Sequence, residues 1–239
     1  MNDFRTIIFE KRDGIAWLTL NRPHVLNAMN MEMRDELWTV MEAVRDDPDT
    51  RVLIVRGAGE RAFSAGADVS EFGTAPSYVE ARRARRERDL WQLMLDLDKP
   101  LIAAIHGYAL GAGCEMSVCC DLRVVSDDAR FGLPEVKLGY IPSAGGTQLL
   151  PRTIGPGAAM EMVLTGDDID AAAALRLGLV HKVVARERLY DEAEAWAQEL
   201  MARSPVVLRY AKEAVTRGLE VSLEEGLAME RRLARLLST

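Results

Sequence analysis

Residues 100–139 read PLIAAIHGYALGAGCEMSVCCDLRVVSDDARFGLPEVKLG, and the fold is decided by how this stretch divides. The apolar run 101–105 predicts a buried strand that stops at Gly107. Gly111, Ala112 and Gly113 then open a second apolar segment, 114–120, of helical character. A strand, a small-residue turn and a helix start leave the first N–H groups of the helix unpaired and aimed outward, a natural seat for negative charge. Glu115 falls in the first helical turn. Glu135 comes twenty residues later, behind another strand-like run at 122–125, so two carboxylates flank a donor-rich turn.

Working outward from this block, residues 6–10 and 15–20 are β-rich runs joined by a segment ending in Asp13-Gly14, a pair suited to a hairpin turn. Asn30 can cap a helix whose apolar positions Met33, Leu37, Val40, Met41 and Val44 recur at helical spacing, with Pro48 closing it. A short buried strand at 52–55 leads into a second tight turn, Phe63-Ser64-Ala65-Gly66-Ala67-Asp68. Residues 77–97 predict one long helix with Leu90, Trp91, Met94 and Leu97 on one face and a basic run at 82–88. Downstream of a loop at 141–146 the pattern is helical at 158–164, 171–177, 190–202, 206–217 and 222–237, interrupted by a strand at 180–184. Strands alternating with helices, then helices alone, predict an α/β core over residues 1–185 and a C-terminal helical region over 186–239.

With 239 residues, 49% of them hydrophobic, the chain can bury a full core. Thirty-seven acidic against 30 basic residues give a net charge of −7, which argues against a dedicated polyanion-binding surface. The three cysteines, Cys114, Cys119 and Cys120, sit in apolar surroundings without ligand spacing, as expected in a reducing compartment. The first residues have no signal-peptide core and no stretch reaches the length of a membrane span, so a cytoplasmic location without membrane contact is expected.

Glycines at 107, 111 and 113 match neither a dinucleotide fingerprint nor a P-loop, and no serine elbow or zinc-ligand pattern occurs. His106, at a strand end, is expected in a structural role, with a place in the site as the alternative. Glu115 alone could be a helix-dipole partner favoured by about 0.3–1 kcal/mol, and Glu135 alone a surface residue. Together with two separate Ala/Gly turns they read differently. Two such turns can bring two backbone N–H groups to one oxygen, where loss of a single donor lowers the rate by about 10²–10³.

Five ordered blocks resemble the crotonase (enoyl-CoA hydratase/isomerase) superfamily: NRPHVLNAMN at 21–30, AFSAGADVSEF at 62–72, AAIHGYALGAGCE at 103–115, FGLPEVKLGYIPSAGGTQLLPRTIG at 131–155 and LTGDDIDAAAALRLGLV at 164–180. The resemblance implies a spiral of ββα units with a C-terminal helical region that builds homotrimers, often paired into hexamers. It implies an acyl-CoA thioester as substrate, with coenzyme A arriving as part of that substrate and no separate cofactor or metal. Carried over residue by residue, the N–H groups of Ala67 and Ala112 form the oxyanion hole. Ala65, Gly66 and Asp68 hold the adenine and pantetheine, His24, Val25 and Leu26 touch the CoA moiety, and Gly111 and Ser143 complete the substrate contacts. Family members with a glutamate at both catalytic positions look like hydratases, which makes Glu115 the base that activates water and Glu135 the acid that protonates Cα.

His24 stands where lysine is frequent, Ser143 where glycine is common and Leu149 where arginine is frequent, so the acyl preference need not follow short straight chains. The chain ends at Thr239, before the final helical segment that typical members carry. Competing readings are another reaction of the superfamily, such as isomerisation or hydration of a carnitinyl or cyclic enoyl thioester, and a non-catalytic assembly role. An RNA-binding arginine comb at 82–88 is disfavoured by the acidic total and the lack of interleaved aromatics.

Overall fold

The computed structural model describes residues 4–73 and 87–238. Its first element is a hairpin: β1 (Ile7–Arg12) and β2 (Ile15–Leu20) pair antiparallel with Arg12 opposite Ile15. Asp13 and Gly14, at φ 52° and 81°, supply the left-handed turn that the strand twist favours. β3 (Val52–Gly57), β5 (Leu101–Ile105), β7 (Leu122–Ser126) and β10 (Lys182–Val184) extend this pair in parallel, giving the order β1-β2-β3-β5-β7-β10.

The middle strands are apolar throughout because both faces are covered. On one face Leu18, Leu53, Val55, Ala103 and Ile105 pack against α1 (Met31–Asp46) and α2 (Leu90–Asp96). Across the sheet Trp17, Ile54, Ile102 and Val124 meet Leu189, Ala193 and Ala197, which lie on the helix Leu189–Met201.

A second sheet is built from much shorter pieces. β4 (Ala62–Ser64), β6 (Tyr108–Leu110) and β8 (Arg130–Gly132) run parallel, and β9 (Ile169–Asp170) closes the edge antiparallel. Each of the three parallel strands follows a long strand of the first sheet after a tight turn, so strand, short strand and helix recur as the expected ββα spiral. None of the four short strands is anticipated by the sequence pattern, because two or three residues carry no period.

The remaining helices are α3 (Ala112–Cys119), α4 (Gly146–Ile154), α5 (Pro156–Thr165), α6 (Ala171–Arg176), α7 (Leu189–Met201), α8 (Pro205–Gly218) and α9 (Leu223–Leu236). One expectation fails within the described part of residues 77–97. The chain leaves helical geometry at Asp89 (φ −80°, ψ 88°), whose side chain accepts from the Gln92 N–H and starts α2 afresh.

Asn27 fastens the loop after β2 to the second sheet. Fully buried and at φ 55°, it donates through Nδ2 to the carbonyls of Ala58 and Ala62 (both 2.9 Å) and accepts the Arg22 N–H through Oδ1. Asn27→Ala leaves the buried Ala62 carbonyl and the part-buried Ala58 carbonyl and Arg22 N–H without these partners and should lower stability by about 3 kcal/mol, read as a drop in the urea midpoint.

Candidate active site

The C-terminal ends of β4, β6 and β8 lie side by side, the position where open parallel sheets hold their ligands. Each strand end contributes one part. β4 runs into Ala65–Asp68, β6 into Gly111 and the start of α3, and β8 into a 3-10 turn, Pro134–Leu138. The Gly111 N–H donates to the Gly132 carbonyl (2.9 Å), locking the second and third ends together.

Two glycines let the first two ends touch. Gly66, at φ 97°, has no room for a side chain, since a Cβ would stand 2.8 Å from the Leu110 carbonyl oxygen and 3.2 Å from the Ala112 nitrogen. Gly111, at φ 51°, would carry a Cβ 3.0 Å from Oε1 of Glu135 and 3.8 Å from the Gly66 Cα. The two bends and one carboxylate therefore crowd into one spot. Among the described residues, the N–H groups of Ala67 and Ala112 have no hydrogen-bond partner.

Glu115 sits in the first turn of α3 at 2% exposure, and its Oε1 accepts the N–H groups of both Ala144 and Gly146, each at 2.8 Å. Burial pushes its carboxyl above the ordinary range, while the two amides work in the opposite direction by favouring the carboxylate. Glu135 follows Pro134 in the 3-10 turn and is half-buried, with Oε2 enclosed and without a hydrogen-bond partner. Burial, reinforced by the charge of Glu115, raises its carboxyl to about 7. Burial thus pushes both carboxyls upward, but their surroundings differ: two amides favour the carboxylate form of Glu115, and no donor does so at Oε2 of Glu135.

The stretch expected to meet CoA assembles beside the first bend. Pro23–Val25 form a single 3-10 turn, and Leu26 leaves it at φ 56°. The Ala65 N–H donates to the Leu26 carbonyl (2.9 Å), the Met29 N–H to the Gly66 carbonyl (2.8 Å) and the Asp68 N–H to the Met29 carbonyl (3.0 Å). His24 and Val25 project outward, whereas Leu26 and Ala65 are half-buried. The Asp68 carboxylate pairs with Arg22 (2.8 Å) and caps Ser70, which shapes the loop around Ala67. Ser143 is exposed and immediately precedes Ala144, one of the amides on Glu115.

His106 belongs elsewhere. Its Nδ1 lies 3.4 Å from the Tyr190 hydroxyl, on the sheet face covered by α7, and burial lowers its pKa to about 4. Arg82, Arg83, Arg85 and Arg86 lie outside the described residues, while Arg88 pairs with Asp35 (2.9 Å).

The pattern of residue types did not reveal the amides of Ala144 and Gly146 that orient Glu115. The small residues of Ser143-Ala144-Gly145-Gly146 were the available signal, because a Cβ at Gly146 would fall 2.8 Å from Glu115 Oε1. Nor did it reveal Arg22, whose charge holds the Ala67 loop through Asp68.

Residues 10–238 match the family described as enoyl-CoA hydratase/isomerase, and the chain belongs to that family. Among its relatives, a crotonyl-CoA hydratase of Syntrophomonas wolfei is 40% identical over 95% of this chain and 87% of its own length. A 2,3-dehydroadipyl-CoA hydratase of Escherichia coli is also 40% identical, over 97% of this chain and 90% of its own. The crystal structure of an enoyl-CoA hydratase from Bacillus anthracis superimposes with a TM-score of 0.92 at 37% identity, covering 98% of this chain and 92% of that one.

Proposed function

We infer that this protein is a hydro-lyase that adds water reversibly across a 2-enoyl-CoA thioester to give a 3-hydroxyacyl-CoA, the hydration step of fatty-acid degradation. The observation that carries this reading is the unequal pair of carboxyls, Glu115 buried and gripped by two amides and Glu135 half-buried with Oε2 unpartnered, beside two free N–H groups. The thioester oxygen accepts from Ala67 and Ala112, so charge that develops there as water adds meets fixed donors. Glu115, ionised, takes a proton from water as its oxygen bonds to Cβ. Glu135 delivers its proton to Cα. The products are the hydroxyacyl thioester and a pair whose single proton has moved to Glu115, and dehydration runs the same path backwards.

The turn of His24, Val25 and Leu26, with Ala65, Gly66 and Asp68, is the proposed seat of CoA, and Gly111 and Ser143 line the acyl side. The chemistry needs no group beyond these side chains, the two amides and the CoA that the substrate carries. In the assay, loss of the conjugated-thioester absorbance of crotonyl-CoA is expected, with Glu115→Gln slowed by about 10²–10⁴. Full activity in both Glu115→Gln and Glu135→Gln would discard the mechanism.

Exposed Val215, Leu219, Leu223 and Leu227 on and between α8 and α9 support a subunit contact in a homotrimer, alone or paired into a hexamer. Light scattering on the eluting protein distinguishes the two. No helix among the described residues is long and apolar enough to cross a membrane. The three cysteines are free and buried, which supports a reducing, cytoplasmic setting.

A further inference from the structure

Two relatives of equal identity act, by name, on acyl groups as different as crotonyl and dehydroadipyl, so likeness alone leaves the acyl end of this substrate undecided. The structure bears on it through two loops. Five residues beyond Ala67 stands Phe72, and five beyond Glu135 stands Tyr140. Their rings meet edge to face with centroids 5.2 Å apart at 72°.

The Tyr140 N–H donates to the Glu135 carbonyl (3.0 Å), which ties the main chain bearing one ring to the turn bearing the acid. Both rings remain open, Phe72 at 40% and Tyr140 at 54%, and Val69, Leu138 and Ile141 on the same loops are also exposed. An apolar rim is thus continuous with the proposed site. The described cations on its flanks are already committed: Lys137 to Asp167 (2.7 Å) and Arg22 to Asp68 (2.8 Å). A carboxylate at the far end of an acyl chain would meet hydrocarbon there and gain no charged partner for whatever hydration it gives up, whereas a hydrocarbon end gains apolar contact.

We propose that the Phe72–Tyr140 pair receives the distal acyl chain and selects an uncharged hydrocarbon that extends past the crotonyl methyl, against a dicarboxylic acyl group. The proposal rests on the hydratase reading. Tyr140 and Phe72 act on specificity by contact with substrate carbons that do not react, so their removal weakens long substrates and leaves the chemistry of short ones intact.

The test measures kcat/KM for crotonyl-CoA, 2-octenoyl-CoA and 2,3-dehydroadipyl-CoA with the parent, Tyr140→Ala, Phe72→Ala and Tyr140→Phe. The parent should prefer octenoyl to dehydroadipyl by at least about tenfold. Each alanine variant should lose about tenfold on octenoyl-CoA, mainly through KM, and stay within about twofold on crotonyl-CoA, with Tyr140→Phe close to the parent. Equal turnover of the octenoyl and dehydroadipyl substrates by the parent would overturn the proposal. So would an equal loss on short and long substrates, which would make the pair a fastener between loops. A changed oligomeric state with unchanged acyl preference would assign the rim to a subunit contact and also overturn it. A parent inactive on all three thioesters would instead remove the hydratase reading itself.

Discussion

Glu135→Gln is expected to lower kcat for hydration by about 10²–10⁴ while leaving the fold intact, because the amide keeps the shape of the side chain and has no proton of suitable acidity to give. The same variant has a pH signature. In the proposed mechanism hydration starts with the proton on Glu135 and dehydration with it on Glu115, so both directions need a pair that holds one proton in total. The two kcat/KM profiles should therefore share their limbs, falling together above about pH 7 as Glu135 loses the proton that burial makes it keep. In the variant, the limb near pH 7 should vanish from whatever activity remains. Profiles whose upper limbs differ between the two directions would contradict a single shared proton.

Stability should move the opposite way. The folded Glu135 holds its proton up to about 7, whereas an unfolded glutamate releases it near 4.5. Between those values the native state binds more protons, so the parent loses stability as pH rises through the window. Glu135→Gln has no charge to bury. Urea unfolding should show it matching the parent below about pH 4.5 and exceeding it above about pH 7, an inactive protein more stable than the active one.

The second large effect concerns a hydrogen. Ala112 is the first residue of α3, the one helical position where proline is well tolerated, and the preceding Gly111 has no Cβ for the proline ring to strike. Ala112→Pro replaces the free N–H with a ring carbon and should lower kcat by about 10²–10³, or about 2.7–4 kcal/mol of transition-state stabilisation, with circular dichroism unchanged. Ala112→Gly retains the N–H and should keep activity within about tenfold. If the proline variant turns over as fast as the glycine variant, Ala112 is not a donor to the thioester oxygen.

Much of this molecule could be read from local pattern. The β1–β2 hairpin with its Asp13-Gly14 turn, the Asn30-capped α1, the buried β5 and the helix start at Ala112 follow from period, capping and turn chemistry within a few neighbouring residues. Both glutamates and both small-residue bends were visible for the same reason: chemistry of that type needs those residue types wherever the chain places them.

What only the tertiary structure decided is how these parts come together. β4, β6 and β8 are three residues each, too short for a period, and exist because strands from distant parts of the chain hydrogen-bond side by side. Only that pairing sets Ala67, Ala112 and Glu135 at one place. The proton balance between Glu115 and Glu135 is likewise invisible along the chain, because desolvation is imposed by segments remote in sequence, and the amides of Ala144 and Gly146 reach Glu115 across about thirty residues. A residue's type is written in the sequence, whereas its solvation is a property of everything that folds around it.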